Sequence, residues 1–410
     1  MGSKLCRMQT FSLNFLALAT LLLSFPAYGL APMQLFVEIT PEGGVLKLPP
    51  GRYAGPVVIN KQMTLDGEGQ VIIDNGGEGT VLTIRADGVI IRNLHLTNSG
   101  GSHNEIDAGI LVEADNTLIE NNTIDNSLFG IHLKQANGNT VRNNTISSKQ
   151  RDPTLRGDGI RLWYSTDNLI EGNEIDRVRD LVLSSSPDNR IISNQISNSR
   201  IGMEFVFSPG IKVKGNSITD NHRGIVVIYS DDIHIQGNRI WKLRNITGSA
   251  LAIKESSQIE VNDNEFGYCA IGLTINAPIH PENTIDLHHN LFAYNDTAMY
   301  FYGEKGGHKI HDNRYEENHS DIMVSSASSA LGNHWRNNYW DNYQGYDRDR
   351  DGIGDHPHEI YLYADRIWMD HPMVRFYRGS PVLELLDFVE RLAPFSPPKL
   401  ILRDPVPRVQ

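Results

Sequence analysis

The sequence predicts an all-β protein whose main domain is a right-handed, single-stranded parallel β-helix. The prediction rests first on a short phrase, Asn, any residue and then Ile, which begins at Asn194, Asn216 and Asn238 with a spacing of 22 residues. Between these phrases lie short runs with alternating or continuous apolar residues, as in 201–205 and 211–213. No helical pattern of about 10–15 residues separates the runs, which disfavours a sheet with crossover helices. Three short strands per repeat describe one coil of a solenoid.

The repeat extends along most of the chain. Intervals of 20–23 residues indicate a plain coil, and longer intervals, such as the one that contains residues 149–156, indicate a coil with an inserted loop. If each strand pairs with its equivalent one coil on, about 4.8 Å away, roughly eleven coils make a rod about 50 Å long. The further phrases begin at Asn122, Asn144, Asn173, Asn264, Asn290, Asn313 and Asn333.

The repeated Asn residues have a structural role in this interpretation. Amide side chains stacked one coil apart can form hydrogen-bonded ladders, and Asn tolerates the left-handed backbone that a corner between strands requires. The Ile, Leu and Val residues beside them are expected to stack inward as a continuous core. The repeats therefore predict a fold and do not by themselves indicate a catalytic site.

The N-terminus predicts export from the cytoplasm. Lys4 and Arg7 precede an apolar stretch at 11–25, and small residues at 26–29 offer a cleavage site, which is the pattern of a cleaved secretory signal. Its removal changes the formal net charge from −12 to about −14, and an acidic surface disfavours nucleic acid as a partner. Cys269 is then the single cysteine and is expected to be a small buried filler.

Four segments are expected along the chain. They are a signal peptide at 1–29, the parallel β-helix at 30–345, an Asp-rich metal loop at 346–358, and a C-terminal helix with a Pro-rich tail at 359–410.

Both ends of the rod need a cover, because an open coil exposes its core and its unpaired backbone. Residues 33–40 are expected to cover the first end as a short helix or strand. Apolar residues at helical spacing in 381–392 predict an amphipathic helix, which either packs on the rod or faces a partner. An aromatic cluster is expected to plug the C-terminal end: Trp335, Tyr339, Trp340, Tyr343 and Tyr346.

A calcium site is predicted directly after the solenoid. The loop 347–358 has carboxylates at positions 1, 3, 5 and 9 and Gly at position 6, which matches the first part of a calcium-binding loop. Position 12 is His358, where an EF-hand has Glu, so the loop is more similar to shorter Asp-rich loops of extracellular proteins. We expect Ca²⁺ in a structural role, the alternative being a bare solvated turn. The predicted ligands are Asp347, Asp349, Asp351, the backbone carbonyl of Ile353, and Asp355.

Segments outside the repeat resemble the NosD family along nearly the whole exported chain. The ordered set of these segments carries the resemblance, since the solenoid phrase occurs in many β-helix proteins. They are Leu48-Pro-Pro-Gly-Arg-Tyr53, Gly130-Ile-His-Leu-Lys-Gln-Ala136, Arg156-Gly-Asp-Gly-Ile-Arg-Leu-Trp-Tyr164, Gly332-Asn-His-Trp335, Asn338-Tyr-Trp340, Tyr346-Asp-x-Asp-x-Asp-Gly-x-Gly-Asp355 and Pro398-Lys-Leu400.

The resemblance implies a periplasmic accessory protein and not an enzyme. It implies a pectate-lyase-like solenoid that works beside an ABC transporter, with its ATPase and membrane subunits, and beside a copper chaperone lipoprotein. Together they help to assemble the copper–sulfide centre of apo nitrous oxide reductase. The resemblance does not say whether this chain carries copper.

Cu⁺ prefers thioether and thiolate ligands and accepts imidazole. Met369, His371 and Met373 lie on one face if their segment is extended, so they are candidate ligands for transient Cu⁺ binding. His288 and His289 are adjacent, and on a strand they are expected to point to opposite faces and not to share an ion. Other soft or imidazole candidates on the repeat strands are Met203, Met299, Met323, His132 and His222.

The alternative class is a β-helix enzyme acting on an acidic polysaccharide as a lyase, epimerase or hydrolase. Such chemistry needs paired carboxylates, or a Ca²⁺ ion with a basic residue. Asp158 and Arg161 are expected on the outer face near His132 and Lys134 of the preceding coil. The full set of candidates is Asp107, Asp158, Arg161 and Glu204.

Overall fold

A computed structural model confirms the parallel β-helix, and three strands of each coil form three faces of one rod. The structure describes residues 29–243, 245–246, 248–276, 284–303, 306–325, 329–362, 380–381, 385, 388–389, 392 and 398–409. The predicted signal peptide at 1–29 lies outside these residues except for Gly29.

The first face, face A, is a sheet of twelve parallel strands. Each strand pairs with its equivalent in the next coil, so sequence neighbours about one repeat apart are neighbours in space. The strands are Val57–Ile59, Leu82–Ile84, Ala108–Val112, Phe129–Lys134, Ile160–Trp163, Asp180–Ser184, Ile201–Val206, Arg223–Ile228, Ser249–Lys254, Ile271–Asn276, Thr297–Tyr302 and Ile322–Val324.

Two further faces, B and C, belong to one sheet of 25 strands, because Thr64–Asp74 and Ile90–Thr97 each run through both faces. The remaining strands of face B are Val45–Lys47, Leu118–Glu120, Thr140–Arg142, Leu169–Glu171, Arg190–Ile192, Lys212–Lys214, Ile233–Gln236, Ile259–Asn262, Ile285–His288, Lys309–His311 and His334–Arg336. Those of face C are Ala31–Pro32, Gly51–Ala54, Thr123–Ser127, Thr145–Ser148, Glu174–Asp176, Gln195–Ser197, Ser217–Thr219, Arg239–Trp241, Glu265–Gly267, Leu291–Ala293, Arg314–Glu316 and Tyr339–Trp340.

The core is a column of aliphatic side chains that point inward from all three faces. On face C, Ile175 lies in register with Ile196, which lies in register with Ile218, and all three are buried. Polar residues alternate with them and face outward, as the period of a strand requires. Cys269 is fully buried, which confirms the role expected for it.

The predicted N-terminal cap is present as the helix Met33–Ile39. Met33, Phe36 and Val37 are buried against the first coils. The amide side chain of Gln34 accepts a hydrogen bond from Val58 N at 2.8 Å and donates one to Val58 O at 3.3 Å. These bonds occupy backbone groups of the first strand of face A, which has no preceding strand to pair with.

The expected amide ladder runs along the corner between faces B and C. Each Asn Nδ2 donates to Oδ1 of the Asn one coil on, at 2.9–3.1 Å, and all members are buried. Asn338, and not the predicted Asn333, continues the ladder from Asn313, because Asn333 precedes the face B strand of that coil. The members are Asn122, Asn144, Asn173, Asn194, Asn216, Asn238, Asn264, Asn290, Asn313 and Asn338.

The left-handed corner residue is not the ladder Asn but the residue just before it. Asn121, Asn143 and His289, for example, have φ values of 56°, 53° and 55°. This conformation turns the chain so that the following Asn points inward and reaches both neighbouring coils. The expectation that the ladder Asn itself adopts the left-handed conformation was therefore wrong by one position.

The C-terminal end of the rod is closed by aromatic rings and by a returning strand. Trp335 and Trp340 are buried, and the rings of Tyr315 and Trp340 stack with centroids 4.1 Å apart. His358 stacks on Trp340 at 4.7 Å. Of the five aromatic residues predicted to plug this end, Trp335 and Trp340 are buried, whereas Tyr346 is exposed.

The strand Lys399–Asp404 ends the amide ladder. It pairs in antiparallel fashion with His358–Leu362, and Asp404 Oδ2 accepts the Nδ2 hydrogen bond of Asn338 at 3.0 Å. Asp404 also accepts from the indole N–H of Trp340 at 3.3 Å. A carboxylate is suited to this last position because it accepts hydrogen bonds and needs no acceptor of its own.

Within the segment predicted as a helix at 381–392, the described positions 381, 385, 388, 389 and 392 are helical. The side chains of Leu385, Phe388, Val389 and Leu392 are exposed, so these residues fit the alternative in which the helix faces a partner. None of the helical segments in the described ranges has the length and apolar character of a membrane span.

We expect Asn144→Ala to destabilise the rod by about 2 kcal/mol or more, because each buried polar group left unpaired costs about 1–3 kcal/mol. Asn144 Oδ1 accepts from the backbone N and Nδ2 of Asn122, both at 3.0 Å, and these donors would lose their acceptor. The adjacent Asn143→Gly is the matched control, since Asn143 is exposed and left-handed. Urea denaturation measures both, and equal midpoints for the two variants would contradict a stabilising ladder.

We expect His358 to make the protein less stable in acid. Burial lowers the pKa of His358 from 6.5 to about 4, so the unfolded chain binds the proton more readily, and stability falls as the pH drops from about 6.5 towards 4. His358→Phe keeps an aromatic ring on Trp340 but has no group to protonate. Its free energy of unfolding should therefore fall by about 1–2 kcal/mol less than that of the wild type between about pH 7 and pH 5. Denaturation at both pH values tests this, with exposed His334→Phe as the control. An unchanged pH dependence in His358→Phe would refute it.

Candidate metal and binding sites

The Asp-rich loop brings three of its five predicted ligands together. The carboxylate oxygens of Asp347, Asp349 and Asp351 lie within 4.8 Å of one another. Asp355 instead accepts the backbone N–H of Arg348 at 2.9 Å, and Ile353 forms an antiparallel bridge with Arg408. The loop therefore offers a cluster of oxygen donors, the ligand type that Ca²⁺ prefers.

Backbone N–H groups shape this loop around Asp347. Its Oδ2 accepts from Gly352 N at 2.9 Å, and its Oδ1 accepts from Arg350 N at 2.6 Å. These bonds lower the pKa of Asp347, and the bond from Gly352 contributes most to the shift. The charge of Asp351 raises the pKa of Asp349, which is the repulsion that a bound cation would relieve.

The predicted copper ligands Met369, His371 and Met373 lie outside the described residues. The Met candidates on the repeat strands, by contrast, are core residues. Met299 and Met323 are buried, and their sulfur atoms accept hydrogen bonds from Tyr315 and Thr297, both at 3.1 Å. Met203 is also fully buried. These three thioethers are enclosed by the core and do not face a surface where copper could be exchanged.

The expectation that His288 and His289 point apart was wrong. His288 ends a face B strand, but His289 occupies the left-handed corner position with φ of 55°. This turn rotates the second side chain back towards the first, and their Nδ1 atoms lie 2.9 Å apart.

The outer side of face A carries the charged cluster considered for polysaccharide chemistry. His132 lies in register with Arg161 one coil on, as expected. Arg161 contacts Asp158 at 3.0 Å, and Arg179 binds the same carboxylate at 2.9 Å and lies 3.5 Å from Asp180. The sequence did not single out Arg179 or Asp180, because the alignment of coils was needed to place them here.

Two carboxylates of this cluster, Asp158 and Asp180, are paired with arginines. Asp158 and Asp180 are fully buried, and Arg200 Nε donates to Asp180 at 3.0 Å. Buried carboxylates held in ion pairs contribute structure, and removing a partner is costly. Asp107, the remaining candidate of this type, accepts the backbone N–H of Ser102 at 2.8 Å.

His132 and Glu204 are the less completely paired groups on this face. His132 is 3% exposed, its Nε2 has no hydrogen-bond partner among the described residues, and burial lowers its pKa to about 4. Burial, and then the charge of Asp180, raises the pKa of Glu204. Within the described coils, the cluster offers no second unpaired carboxylate beside Glu204, although glycoside hydrolysis uses two.

Together the fold and these sites define a parallel β-helix protein with a candidate metal site at one end of the rod. A family model described as "Periplasmic copper-binding protein (NosD)" matches residues 149–345. A protein of Pseudomonas aeruginosa named "Probable ABC transporter binding protein NosD" is 29% identical over 86% of this chain and 85% of its own length. A protein of the same name from Stutzerimonas stutzeri is 28% identical over 94% and 92%. These matches support the assignment of the chain to the NosD family.

Solved structures show the same fold at low sequence identity. An exopolygalacturonase of family 28 from Yersinia enterocolitica is 9% identical, with a TM-score of 0.56 over 72% of this chain and 73% of its own. The A-module of the mannuronan C-5 epimerase AlgE4 from Azotobacter vinelandii is 16% identical, with a TM-score of 0.53 over 71% and 91%. At these identities the likeness concerns the fold alone.

Proposed function

We propose that this chain is a non-catalytic, periplasmic assembly factor for the copper–sulfide centre of nitrous oxide reductase, which acts with an ABC transporter and a copper chaperone. The observation that carries the proposal is the match to two proteins named as ABC transporter binding proteins of the NosD type along most of the chain. The copper-binding description of the matching family model supports a role with this metal.

The charged cluster on face A supports a role other than catalysis. A general acid and a nucleophile or base must reach the substrate, but Asp158 and Asp180 are fully buried and engaged by arginines. The exposed apolar side chains Leu385 and Leu392 of the C-terminal helical segment would suit a docking contact with the transporter.

A second candidate function is the modification of an acidic polysaccharide. The raised pKa of Glu204 favours it, since a general acid must hold its proton near neutral pH. The shortage of unpaired carboxylates beside Glu204 counts against it.

For transient copper binding near the C-terminus, Met369, His371 and Met373 remain the proposed ligands. For the Asp-rich loop we propose Ca²⁺ in a structural role, with ligands from Asp347, Asp349, Asp351, Ile353 and Asp355. The support is the cluster of three carboxylates next to backbone hydrogen bonds that tie the loop to residues 407–409, which follow the strand Lys399–Asp404. Gly354 N donates to Pro407 O at 2.8 Å, and Val409 N donates to Gly352 O at 3.1 Å. Bound Ca²⁺ would thus hold the end of the rod closed.

We expect Ca²⁺ to raise the melting temperature of the wild-type protein, since a ligand at about 100 times its Kd adds about 2.7 kcal/mol to the free energy of unfolding. The double variant Asp347→Asn, Asp349→Asn should lose this response. Glu174→Gln, which removes one exposed charge elsewhere on the rod, should keep it. Differential scanning calorimetry with and without Ca²⁺ measures the shift, and a response equal in all three proteins would contradict a site in this loop.

The main proposal predicts that nitrous oxide reductase from cells lacking this chain contains its other copper site but lacks the copper–sulfide centre. Metal analysis and the absorption spectrum of the purified reductase measure this, and the wild-type gene on a plasmid should restore the centre. A reductase with both sites filled in the deletion strain would refute the proposal. Activity of the purified chain on alginate or polygalacturonate would then be the next measurement.

A further inference from the structure

Two histidines on the outer surface of the rod lie at the separation of two ligands of one metal ion. His288 ends a strand of face B, and His289 follows at the left-handed corner. Their Nδ1 atoms lie 2.9 Å apart, and the ring planes are nearly perpendicular at 86°. With metal–nitrogen bonds of about 2.0–2.1 Å, two cis ligands at a right angle are about 2.9 Å apart.

The protein fixes the tautomer of His288. Its Nε2 lies 3.3 Å from Glu260 Oε1, so the ring proton is held at Nε2 and the lone pair of Nδ1 accepts a hydrogen bond from Nδ1–H of His289. A metal ion bound between the two Nδ1 atoms would replace this hydrogen bond. Glu260 is itself held by His234 at 3.0 Å and by Asn262 at 2.9 Å. A carboxylate that accepts the second N–H of an imidazole is the usual partner of a metal-binding His.

Neighbouring groups hold the His288 ring in place and add negative charge. The ring of His311 stacks on His288 with centroids 5.2 Å apart. His311 is fixed by Asp286 at 3.1 Å and by Asp312 at 2.8 Å. Lys309 and Arg408 offset part of this charge, at 3.7 Å from Asp286 and Asp312 respectively. These contacts hold the ring of His288 in place, and the exposed His289 lies beside it, within reach of a shared ion.

We propose that His288 and His289 form a surface site for a divalent transition metal ion, with Cu²⁺ the ion bound most tightly. Imidazole suits Cu²⁺ and Zn²⁺, and Cu²⁺ stands highest among the divalent first-row metals. The two rings supply two ligands, and the other positions are open to water or to the ligands of a partner protein. Copper as the physiological ion rests on the proposed function, but the site itself rests on the imidazole geometry.

The test is Cu²⁺ binding by the purified full chain, with His289→Asn as the main variant, because Asn accepts the left-handed backbone at this corner. His334→Asn is the matched control, since His334 is an exposed histidine of the same face. We expect the wild type and His334→Asn to show nitrogen hyperfine coupling from two imidazoles in the electron paramagnetic resonance spectrum. His289→Asn should lose this signal and bind Cu²⁺ at least 10-fold more weakly by calorimetric titration.

Glu260→Gln provides an independent check, because loss of such a carboxylate partner weakens metal binding by about 10–100-fold. Equal affinities and spectra in wild type and His289→Asn would overturn the site. If the wild type and His289→Asn bind Cu²⁺ equally and the deletion strain makes a defective reductase, the metal site is overturned and the proposed function stands. Loss of Cu²⁺ binding in His289→Asn together with a normal reductase in the deletion strain would support the site and overturn the proposed function.

Discussion

The buried amide ladder is the interaction on which the rod depends. A parallel solenoid has no short connections that fix the register of one coil on the next, and its corners bring backbone N–H and C=O groups into the interior. Each ladder Asn pairs with the coils on both sides, and Asn216, for example, donates to Ile191 O at 2.9 Å and to Asn238 at 2.9 Å. A one-residue slip would leave these groups unpaired, so the ladder sets the register of the coils from Asn122 to Asn338.

The same corner links the fold to its candidate metal chemistry. To point an Asn inward, the chain needs a left-handed residue just before it, and in most coils a small or polar residue takes that place, such as Gly215 or Asn143. In one coil the residue is His289, which follows an outward-facing His288. A feature required for packing therefore brings two imidazoles together on the surface, where a strand would have separated them.

The end of the rod combines the closing of the core with a second candidate metal site. Asp404 ends the ladder, and the residues that follow it bind the Asp-rich loop through Pro407 and Val409. In the core at this end of the rod, the rings of Phe292, Tyr315 and Trp340 stack in a column. Because these contacts lie within the short segment 404–409, closure of the rod and the shape of the loop depend on each other.

The sequence by itself determined the solenoid, its 22-residue period, the ladder positions up to Asn313, the buried Cys269 and the acidic loop. These features are either local or recur from one repeat to the next, so the order of residues along the chain is enough to show them. Only the tertiary structure placed Asp404 on Asn338, 66 residues earlier, brought Arg179 between Asp158 and Asp180, and turned His289 towards His288. These contacts depend on how coils align and on a backbone conformation at one corner, and no residue pattern along the chain records either of them.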